Sequence, residues 1–273
     1  MTRLGLVYLD RAVNPARFAR RFARSVMDAA DGMDAEIHWQ AKGYADGRRN
    51  PQLAGLERDW RGAVHEHRYP EGVFQFFMSF DVAAKVDCDL LVFFTSTSEI
   101  LSRTWLRACL ETFDRVPGCG VAGATGSYET SGATAFPNVH VRTNAFMMER
   151  KRFLELDPGN ISTLESGNAF EAGPQGLTRQ LHSRGLKPVV VDREGRRYLA
   201  EDWPRSRTFR SGGQETLAVS DFRTFDYAVG SQGKRRWLAE LAWGDAAVPE
   251  RASRLARLRT WADWRWRGVL FGR

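Results

Sequence analysis

The chain has 273 residues, a formal net charge of +7 and a hydrophobic content of 43%. This length and composition indicate one large α/β domain, with or without an appendage, and exclude general disorder. No stretch approaches the ~18 apolar residues needed to cross a bilayer, and the apolar start before Asp10 is too short for a secretion signal. We therefore expect a cytoplasmic protein.

The positive charge is concentrated at the C-terminal end. Residues 246–273 contain seven arginines and two acidic residues, a net charge of +5, which leaves +2 for the rest of the chain. A nucleic-acid-binding protein more often spreads basic charge over its main surface. This distribution argues against a nucleic-acid partner.

The basic tail predicts a helix of its own. An apolar stripe at helical spacing, flanked by arginines and tryptophans, is formed by Leu255, Leu258, Ala262, Trp266 and Val269. Such a helix can lie on an anionic membrane, which would place the protein at the inner face of the cell membrane, or it can pack on the domain. We divide the chain into a domain over 1–245 and a Trp/Arg-rich helix over 246–273.

The N-terminal part of the chain predicts a parallel β-α-β unit. Residues 4–9 form an apolar strand, Asn14-Pro15 begins a helix, and residues 35–40 alternate as a second strand. Residues 42–72 are polar and predict an irregular connection with one short helix.

A central strand is predicted over 90–94, because five apolar residues there follow a helix that ends near Val86. The strand is apolar throughout, which indicates burial on both faces. It stops at a polar cluster, Thr95 to Glu99, and a further helix is expected from about Ile100. Ligands of open α/β sheets bind at the C-terminal ends of strands, so we predict a ligand site there.

Alternation over residues 136–148 predicts a strand. One of its faces would carry Asn138, His140, Arg142 and Asn144. A strand face of histidine, arginine and asparagine is unusual for a purely structural strand. The two interpretations are a ligand site and a solvated sheet face.

Two short motifs are set aside. The glycines of the G-x-G-x-x-G sequence at 118–123 enter an apparent strand, whereas a dinucleotide fingerprint follows a strand and opens a helix. His65-Glu66-His67 offers two histidines without a third ligand in the sequence, which favours solvated surface residues over a metal site.

The rest of the chain predicts mostly helices and one strand. A short helix is expected over 149–155, a loop over 157–176, a helix over 176–184, a strand over 188–191 and a closing helix over 237–243.

In this order, the features resemble glycosyltransferases with the GT-A fold, of the large inverting family that includes cellulose and hyaluronan synthases. The resemblance covers roughly residues 4–200 and depends on the segments RTNAFMMERKRFLEL, GLTRQLHSRGL and PVVV after the central strand. It implies an α/β, Rossmann-like fold with a mostly parallel central sheet flanked by helices. It also implies transfer of a sugar, with inversion, from a nucleotide-sugar donor to a hydroxyl group of a surface polysaccharide or lipid-linked glycan.

The sequence departs from that family where the central strand should end in Asp-x-Asp, which holds a divalent metal. Ser96 and Ser98 occupy these positions, followed by Glu99. Mg²⁺ and Mn²⁺ prefer carboxylate oxygens, so Glu99 is the one weak metal ligand predicted. His140 and Arg142 are candidates to replace the metal's charge.

The acidic pair with which the family activates the acceptor is also missing: its positions fall near Gly173-Pro174, and Glu171 lies two or three residues upstream. Candidate roles are therefore assigned from residue chemistry within the resemblance. Glu171 is the candidate general base and Glu165 the reserve, although either could be an exposed loop carboxylate. The candidate donor-binding residues are Asp10, Arg11, Ser96, Ser98 and Glu99. The candidate substrate-binding residues are Asn138, His140, Arg142, Asn144, Trp203 and Arg205.

The missing Asp-x-Asp also favours an alternative function. A protein that keeps this fold without its metal-binding acids can be a catalytically inactive binding or scaffold protein of a polysaccharide pathway.

Overall fold

The fold is built on a large central sheet with helices on both faces. A computed structural model describes residues 2–132, 134–161 and 163–248, apart from the side chains of Leu164 and Glu165. The strands of this part of the chain are β1 (Leu4–Arg11), β2 (Ala35–Lys42), β3 (Val64–Tyr69), β4 (Leu90–Phe94), β5 (Glu99–Ile100), β6 (Cys119–Gly123), β7 (Gly126–Ser127), β8 (His140–Val141), β9 (Ala145–Glu149), β10 (Lys187–Val191), β11 (Arg197–Tyr198) and β12 (Val219–Ser220). The helices are α1 (Arg17–Ala29), α2 (Pro51–Asp59), α3 (Gln75–Lys85), α4 (Trp105–Arg115), α5 (Arg150–Leu154), α6 (Leu164–Ala172), α7 (Leu177–Ser183), α8 (Phe222–Val229) and α9 (Gln232–Trp243).

The central sheet has the strand order β11-β10-β6-β9-β4-β1-β2-β3. Most neighbouring strands are parallel, but β9 runs antiparallel to both β4 and β6, and β11 runs antiparallel to β10. Two small antiparallel pairs, β5 with β12 and β7 with β8, lie outside this sheet. The mostly parallel α/β sheet predicted from the sequence is therefore confirmed.

The sheet is covered on both faces, which explains why β4 is apolar throughout. Val92 and Phe94 belong to the apolar cluster that includes Phe22 of α1, whereas Leu91 belongs to the cluster that includes Val82 of α3. All five residues of β4 are buried. Because successive side chains of a strand point to opposite faces, a strand buried on both faces cannot show polar alternation.

The structure corrects three predicted elements. The polar stretch 42–72 contains the expected short helix but also β3, which pairs with β2. No helix begins at Ile100, because this residue pairs with Val219 in the β5–β12 ladder. The predicted loop over 157–176 contains α6, whose first turn is stabilised by reciprocal hydrogen bonds between Thr163 and Ser166.

The single strand predicted over 136–148 is also wrong. His140 and Val141 pair with β7, and the chain then turns at 143–144 and enters the central sheet as β9. The period-2 pattern was continuous in the sequence because both short strands alternate, although the turn separates them. The polar residues of this segment therefore do not share one strand face.

His65 is exposed, as predicted, whereas His67 is half-buried, and both contact His38. His67 Nε2 lies 3.3 Å from Nδ1 of His38, which β2 places beside β3. The ring of His65 stacks on that of His38 at 5.0 Å. Burial, with repulsion from the two other rings, lowers the pKa of His38 to about 3, so this ring is neutral.

Two further predictions concern membrane-spanning helices and the basic C-terminal helix. Among the described residues, no helix combines the length and the hydropathy needed to span a bilayer. The basic helix predicted over 246–273 lies outside the described residues, except for residues 246–248.

Gly126 provides a test of the packing beside the central sheet. A Cβ at this position would lie 2.3 Å from Cε3 of the fully buried Trp203. We expect Gly126→Ala to lower the free energy of unfolding by about 1–3 kcal/mol, because overpacking forces the indole to move. Urea unfolding followed by tryptophan fluorescence measures this change.

The matched control is Gly55→Ala in α2, where an added Cβ meets no atom within 4 Å. Alanine is the better helix former by up to ~1 kcal/mol, so this variant should be neutral or more stable. Equal stabilities of the two variants would show that Trp203 does not pack on Gly126 as described.

Candidate functional site at the C-terminal edge of the sheet

The antiparallel direction of β9 brings its N-terminal end to the edge where β4 and β6 have their C-terminal ends. Backbone hydrogen bonds join the three ends, from Thr95 N to Asn144 O at 3.3 Å and from Ala124 N to Ala145 O at 2.9 Å. Arg142 N donates to Thr125 O at 3.0 Å. Residues 142–144 therefore lie beside the polar corner that follows β4.

The hydroxyl of Ser98 forms hydrogen bonds with backbone groups inside this corner. It donates to the carbonyl oxygen of Asn144 at 2.7 Å and accepts from the backbone N–H of Thr95 at 3.1 Å. Ser98 is buried, with 1% of its surface exposed. Its hydrogen bonds tie the end of β4 to the start of β9.

The other two residues of the corner have different surroundings. Ser96 is half-buried, and its carbonyl oxygen accepts a hydrogen bond from the Tyr8 hydroxyl at 3.1 Å. The carboxylate of Glu99 lies 3.9 Å from a guanidinium nitrogen of Arg21 on α1. The predicted weak metal ligand therefore has a cation beside it.

A buried ion pair lies next to this corner. Arg142 Nη2 donates to Asp221 Oδ2 at 2.8 Å, and the two side chains are 8% and 3% exposed. The guanidinium carbon of Arg142 lies 4.0 Å from the ring centroid of Phe209. Burial acts to raise the pKa of Asp221, but the Arg142 guanidinium and hydrogen bonds from Thr224 outweigh it, so the pKa is lowered.

Several buried polar atoms around this pair have no hydrogen-bond partner among the described residues. These atoms are Arg142 Nη1, Asn144 Nδ2, Ser220 Oγ and Arg210 Nε. Ser220 precedes Asp221 and pairs with Glu99 across the β5–β12 ladder, and Asn144 bonds to Thr95 and Ser98, so these two residues border the corner after β4. Buried donors in proteins are normally paired, and such an exception calls for a ligand, an ion or a water molecule.

A carboxylate faces the same segment from α6. The Thr143 hydroxyl donates to Glu171 Oε2 at 2.5 Å, and Glu171 is half-buried in the last turn of the helix. Burial lowers the pKa of His140, although the carboxylate of Glu171 acts in the opposite direction. This hydrogen bond places the Glu171 carboxylate against Thr143, the residue that follows Arg142.

Asp10 and Arg11 end β1, which neighbours β4 in the sheet. Asp10 is buried, and its Oδ2 accepts hydrogen bonds from Trp39 Nε1, Tyr44 OH and Asn50 Nδ2 at 3.1, 2.7 and 3.0 Å. Burial raises the pKa of Asp10, and these three donors oppose that shift. Arg11 pairs with Glu71, and its Nε has no hydrogen-bond partner among the described residues.

The remaining predicted residues have other contacts. Asn138 is buried and donates to the carbonyl oxygens of Glu129 and Ala172 at 3.1 and 2.7 Å. Trp203 is fully buried, and its Nε1 donates to Tyr198 O. Arg205 is 81% exposed and pairs with Asp202. Glu165 lies in the first turn of α6, the end of the helix opposite Glu171.

The sequence analysis did not assign roles to Thr143, Asp221 or Arg210. Asp221 follows β12 and caps α8 by accepting from Thr224 N at 2.8 Å, so the Asp-x-x-Thr pattern could have shown a helix start but not its partner Arg142. Arg210 pairs with Glu129 at 2.9 Å, and burial lowers the pKa of Arg210 to about 10. Its backbone is left-handed, with φ of 44°, which is unusual for a residue other than glycine.

The carboxylate of Asp221 should stabilise the fold. Asp221→Asn keeps a helix cap but turns an amide N–H₂ toward Arg142 and leaves that charge unpaired. We expect the free energy of unfolding to fall by about 3 kcal/mol or more at pH 7, measured by urea unfolding. The control is Asp226→Asn, whose pair with Lys234 is solvent-exposed, with an expected change below ~1 kcal/mol.

The same pair predicts a dependence on pH. The folded pKa of Asp221 is lowered below its ordinary value of 3.8, so its contribution is complete above about pH 4 and is lost as the pH falls through the folded pKa. The difference in stability between the wild-type protein and Asp221→Asn should therefore be constant at pH 5–8 and shrink in acid. A constant difference down to pH 2 would contradict a charged Asp221.

Comparison with known proteins shows the fold. No protein-family model matches the chain, and no curated protein matches it. Among solved structures, the mannosyltransferase PcManGT from Pyrobaculum calidifontis, in complex with GDP-Man and Mn²⁺, is 12% identical, with a TM-score of 0.50 over 99% of this chain and 76% of that chain. An active-site mutant of LgtC is 14% identical, with a TM-score of 0.43 over 56% of this chain and 60% of that chain. The inositol-1-phosphate CTP transferase from T. maritima is 11% identical, with a TM-score of 0.42 over 69% of this chain and 84% of that chain.

At these identities the likeness concerns the fold, and we base the assignment on the first structure. Together with the sheet order and the antiparallel β9, it confirms the predicted α/β fold of the GT-A type.

Proposed function

We propose that this protein is a glycosyltransferase that moves a sugar from a nucleotide-sugar donor to a hydroxyl group of an acceptor. The GT-A-like fold and the cluster of buried, partly unpaired donors at the C-terminal edge of the sheet support this proposal. The observation that carries it is that two features are adjacent in the chain. Arg142 has an unpartnered Nη1, and the hydroxyl of the next residue, Thr143, contacts the carboxylate of Glu171.

The donor's diphosphate binds at the corner after β4. Arg142 offers a permanent positive charge and a free N–H group, and the side chains of Asn144 and Ser220 offer further donors. Hydrogen bonds from a guanidinium to phosphate oxygens are short and strong, and they favour the diphosphate over neutral ligands. Asp221 holds Arg142 in place through its other nitrogen.

The residues of this corner do not fit a divalent metal such as Mg²⁺ or Mn²⁺. Such ions take carboxylate, carbonyl and water oxygens, but the hydroxyl of Ser98 is already engaged by protein groups and the carboxylate of Glu99 lies beside Arg21. The PcManGT structure contains Mn²⁺. In the present protein, Arg142 supplies the charge compensation, and the proposed reaction needs no added divalent metal.

The nucleoside of the donor lies against the ends of β1 and β2. All three hydrogen bonds to Asp10 reach Oδ2, and no described residue donates to Oδ1. This oxygen can accept a hydrogen bond from a ribose hydroxyl or a base N–H. The unpartnered Nε of Arg11 lies at the same strand end.

Glu171 is the general base. Its carboxylate takes the proton of the acceptor hydroxyl while the acceptor oxygen bonds to the anomeric carbon and the bond from that carbon to the diphosphate breaks. The hydrogen bond from Thr143 orients the carboxylate. Attack from the side opposite the diphosphate inverts the anomeric centre.

The acceptor is a glycan, either a surface polysaccharide or a lipid-linked sugar. Binding of the basic tail to an anionic membrane would bring the protein close to such an acceptor. Trp203 and Arg205 are left out of the proposed site, because the first has no exposed ring face and the second points into solvent. Asn138 has a structural role, because its side chain donates hydrogen bonds to the backbone carbonyl oxygens of Glu129 and Ala172.

A catalytically inactive binding protein is the second candidate function. The absence of Asp-x-Asp and the internal hydrogen bonds of Ser98 favour it. Such a protein would bind a nucleotide sugar without turning it over.

Glu171→Gln separates the two functions. The amide keeps an oxygen for Thr143 but cannot take a proton, so we expect turnover to fall about 10²–10⁴-fold with donor affinity unchanged. The assay uses the nucleotide sugar that raises the Tm of the protein most in a thermal-shift screen. Turnover is measured as the rate at which nucleoside diphosphate is released. Glu155→Gln, at an exposed glutamate at the end of α5, is the control and should keep full activity.

Two results would contradict the proposal in different ways. Unchanged turnover in Glu171→Gln would remove this residue from the reaction. Binding of the donor without turnover in the wild-type protein would favour the inactive binding protein.

The diphosphate site is tested with the double variant Arg142→Gln/Asp221→Asn, which removes both charges and so leaves neither of them unpaired. We expect affinity for a nucleoside diphosphate to fall about 10–100-fold, because a charged hydrogen bond is lost, while affinity for the corresponding nucleoside stays the same. Titration calorimetry with UDP, GDP and CDP in EDTA measures both.

Arg205→Gln, which removes an exposed guanidinium outside the proposed site, should bind like the wild-type protein. Equal affinity of the double variant and the wild-type protein for the diphosphate would place the phosphates elsewhere. A loss of wild-type binding in EDTA would contradict charge compensation by Arg142.

A further inference from the structure

A second group of chemically reactive side chains lies at the opposite edge of the sheet. Glu36 and His38 come from β2, His65 comes from β3, and Cys88 precedes β4. Cys88 lies before the first residue of β4, and the polar corner follows its last residue. A strand of this length spans about 15 Å, so the two sites are separate.

We propose that Glu36, His38, His65 and Cys88 form a zinc-binding site. Glu36 Oε2 lies 3.6 Å from His38 Nε2, and Cys88 Sγ lies 3.7 Å from the same nitrogen. His65 Nε2 lies 3.4 Å from Glu36 Oε2, but the His65 ring stacks on that of His38, so it must rotate to bind as the fourth ligand. Tetrahedral Zn²⁺, with bonds of about 2.0–2.3 Å, separates neighbouring ligand atoms by ~3.3–3.6 Å. The ligand atoms of Glu36, His38 and Cys88 all lie within 4.8 Å of one another.

The imidazole of His38 can adopt the tautomer that binds a metal through Nε2. His38 Nδ1 lies 3.3 Å from His67 Nε2, which can accept its N–H. That hydrogen bond leaves the lone pair on His38 Nε2, the atom that faces Glu36 and Cys88. Metal-binding histidines usually donate their second ring N–H to a neighbouring acceptor in this way.

The local packing leaves room for this arrangement. A Cβ on Gly5 of β1 would lie 3.0 Å from Cys88 Sγ and 3.2 Å from the His38 ring. A side chain at position 5 would therefore push the thiol and the imidazole apart. The buried ligands His38 and Cys88 are fixed, whereas Glu36 and His65 are partly exposed and leave an entry path from solvent.

The ligand chemistry favours zinc over the harder cations. Thiolate and imidazole are ligands of Zn²⁺ rather than of Mg²⁺ or Mn²⁺. On binding, the Cys88 thiol loses its proton to solvent, and the charges of the thiolate and the Glu36 carboxylate then balance that of Zn²⁺. The bound ion would link β2, β3 and the turn before β4.

The experiment uses the full chain without a histidine tag, stripped with EDTA and desalted. Addition of Zn²⁺ should give one tightly bound ion per chain and raise Tm by about 5 °C at a hundredfold excess over Kd. Co²⁺ should give the charge-transfer absorption of a thiolate ligand. Cys88→Ser should abolish that band, and His65→Ala should weaken Zn²⁺ binding by about tenfold or more.

Two matched controls address folding and non-specific binding. Cys109→Ser removes a buried thiol of the opposite core cluster, and His182→Ala removes an exposed histidine of α7; both should bind Zn²⁺ like the wild-type protein. Because His65 is half-exposed, His65→Ala should fold even if Cys88→Ser does not. Absence of tight Zn²⁺ binding, or binding unchanged in His65→Ala and Cys88→Ser, would overturn the proposal.

Discussion

The direction of β9 is the constraint on which the candidate site depends. It is the antiparallel strand between β4 and β6, so the chain must reach the C-terminal edge of the sheet before it enters β9. The residues just before the strand, Arg142 to Asn144, are therefore placed at the edge where a GT-A-like fold exposes its strand ends. Ser98 secures this arrangement by bonding to the Asn144 carbonyl.

The buried pair of Arg142 and Asp221 connects this edge to the last third of the domain. Asp221 also caps α8, so the ion pair fixes the position of that helix relative to β9. A buried guanidinium is tolerated because a carboxylate pairs with one of its nitrogens and an aromatic ring lies against it. The unpartnered Nη1 of Arg142 can then bind a ligand without a large rearrangement of the side chain. A phosphate group of the donor is such a ligand.

The pleat of β2 separates two kinds of chemistry on one strand. Trp39 points to the face covered by α1, and its indole donates to Asp10 of the proposed nucleoside site. His38 points to the other face, toward Cys88 and the histidines of β3. Neighbouring residues of a strand always alternate in this way, so a single strand can support an organic ligand at its C-terminal end and a metal ion nearer its start.

The sequence by itself determined the parallel β-α-β opening and the buried strand over 90–94, because local periodicity carries that information. The GT-A-like fold was implied by a family resemblance in the order of the elements. The sequence pattern could not show the turn at 143–144 that divides β8 from β9. Only the tertiary structure decided which polar residues meet, as in the pairing of Arg142 with Asp221 and of His38 with His65 and Cys88. These contacts join residues far apart in the chain, and strand order and register, which create them, leave no local signal in the sequence.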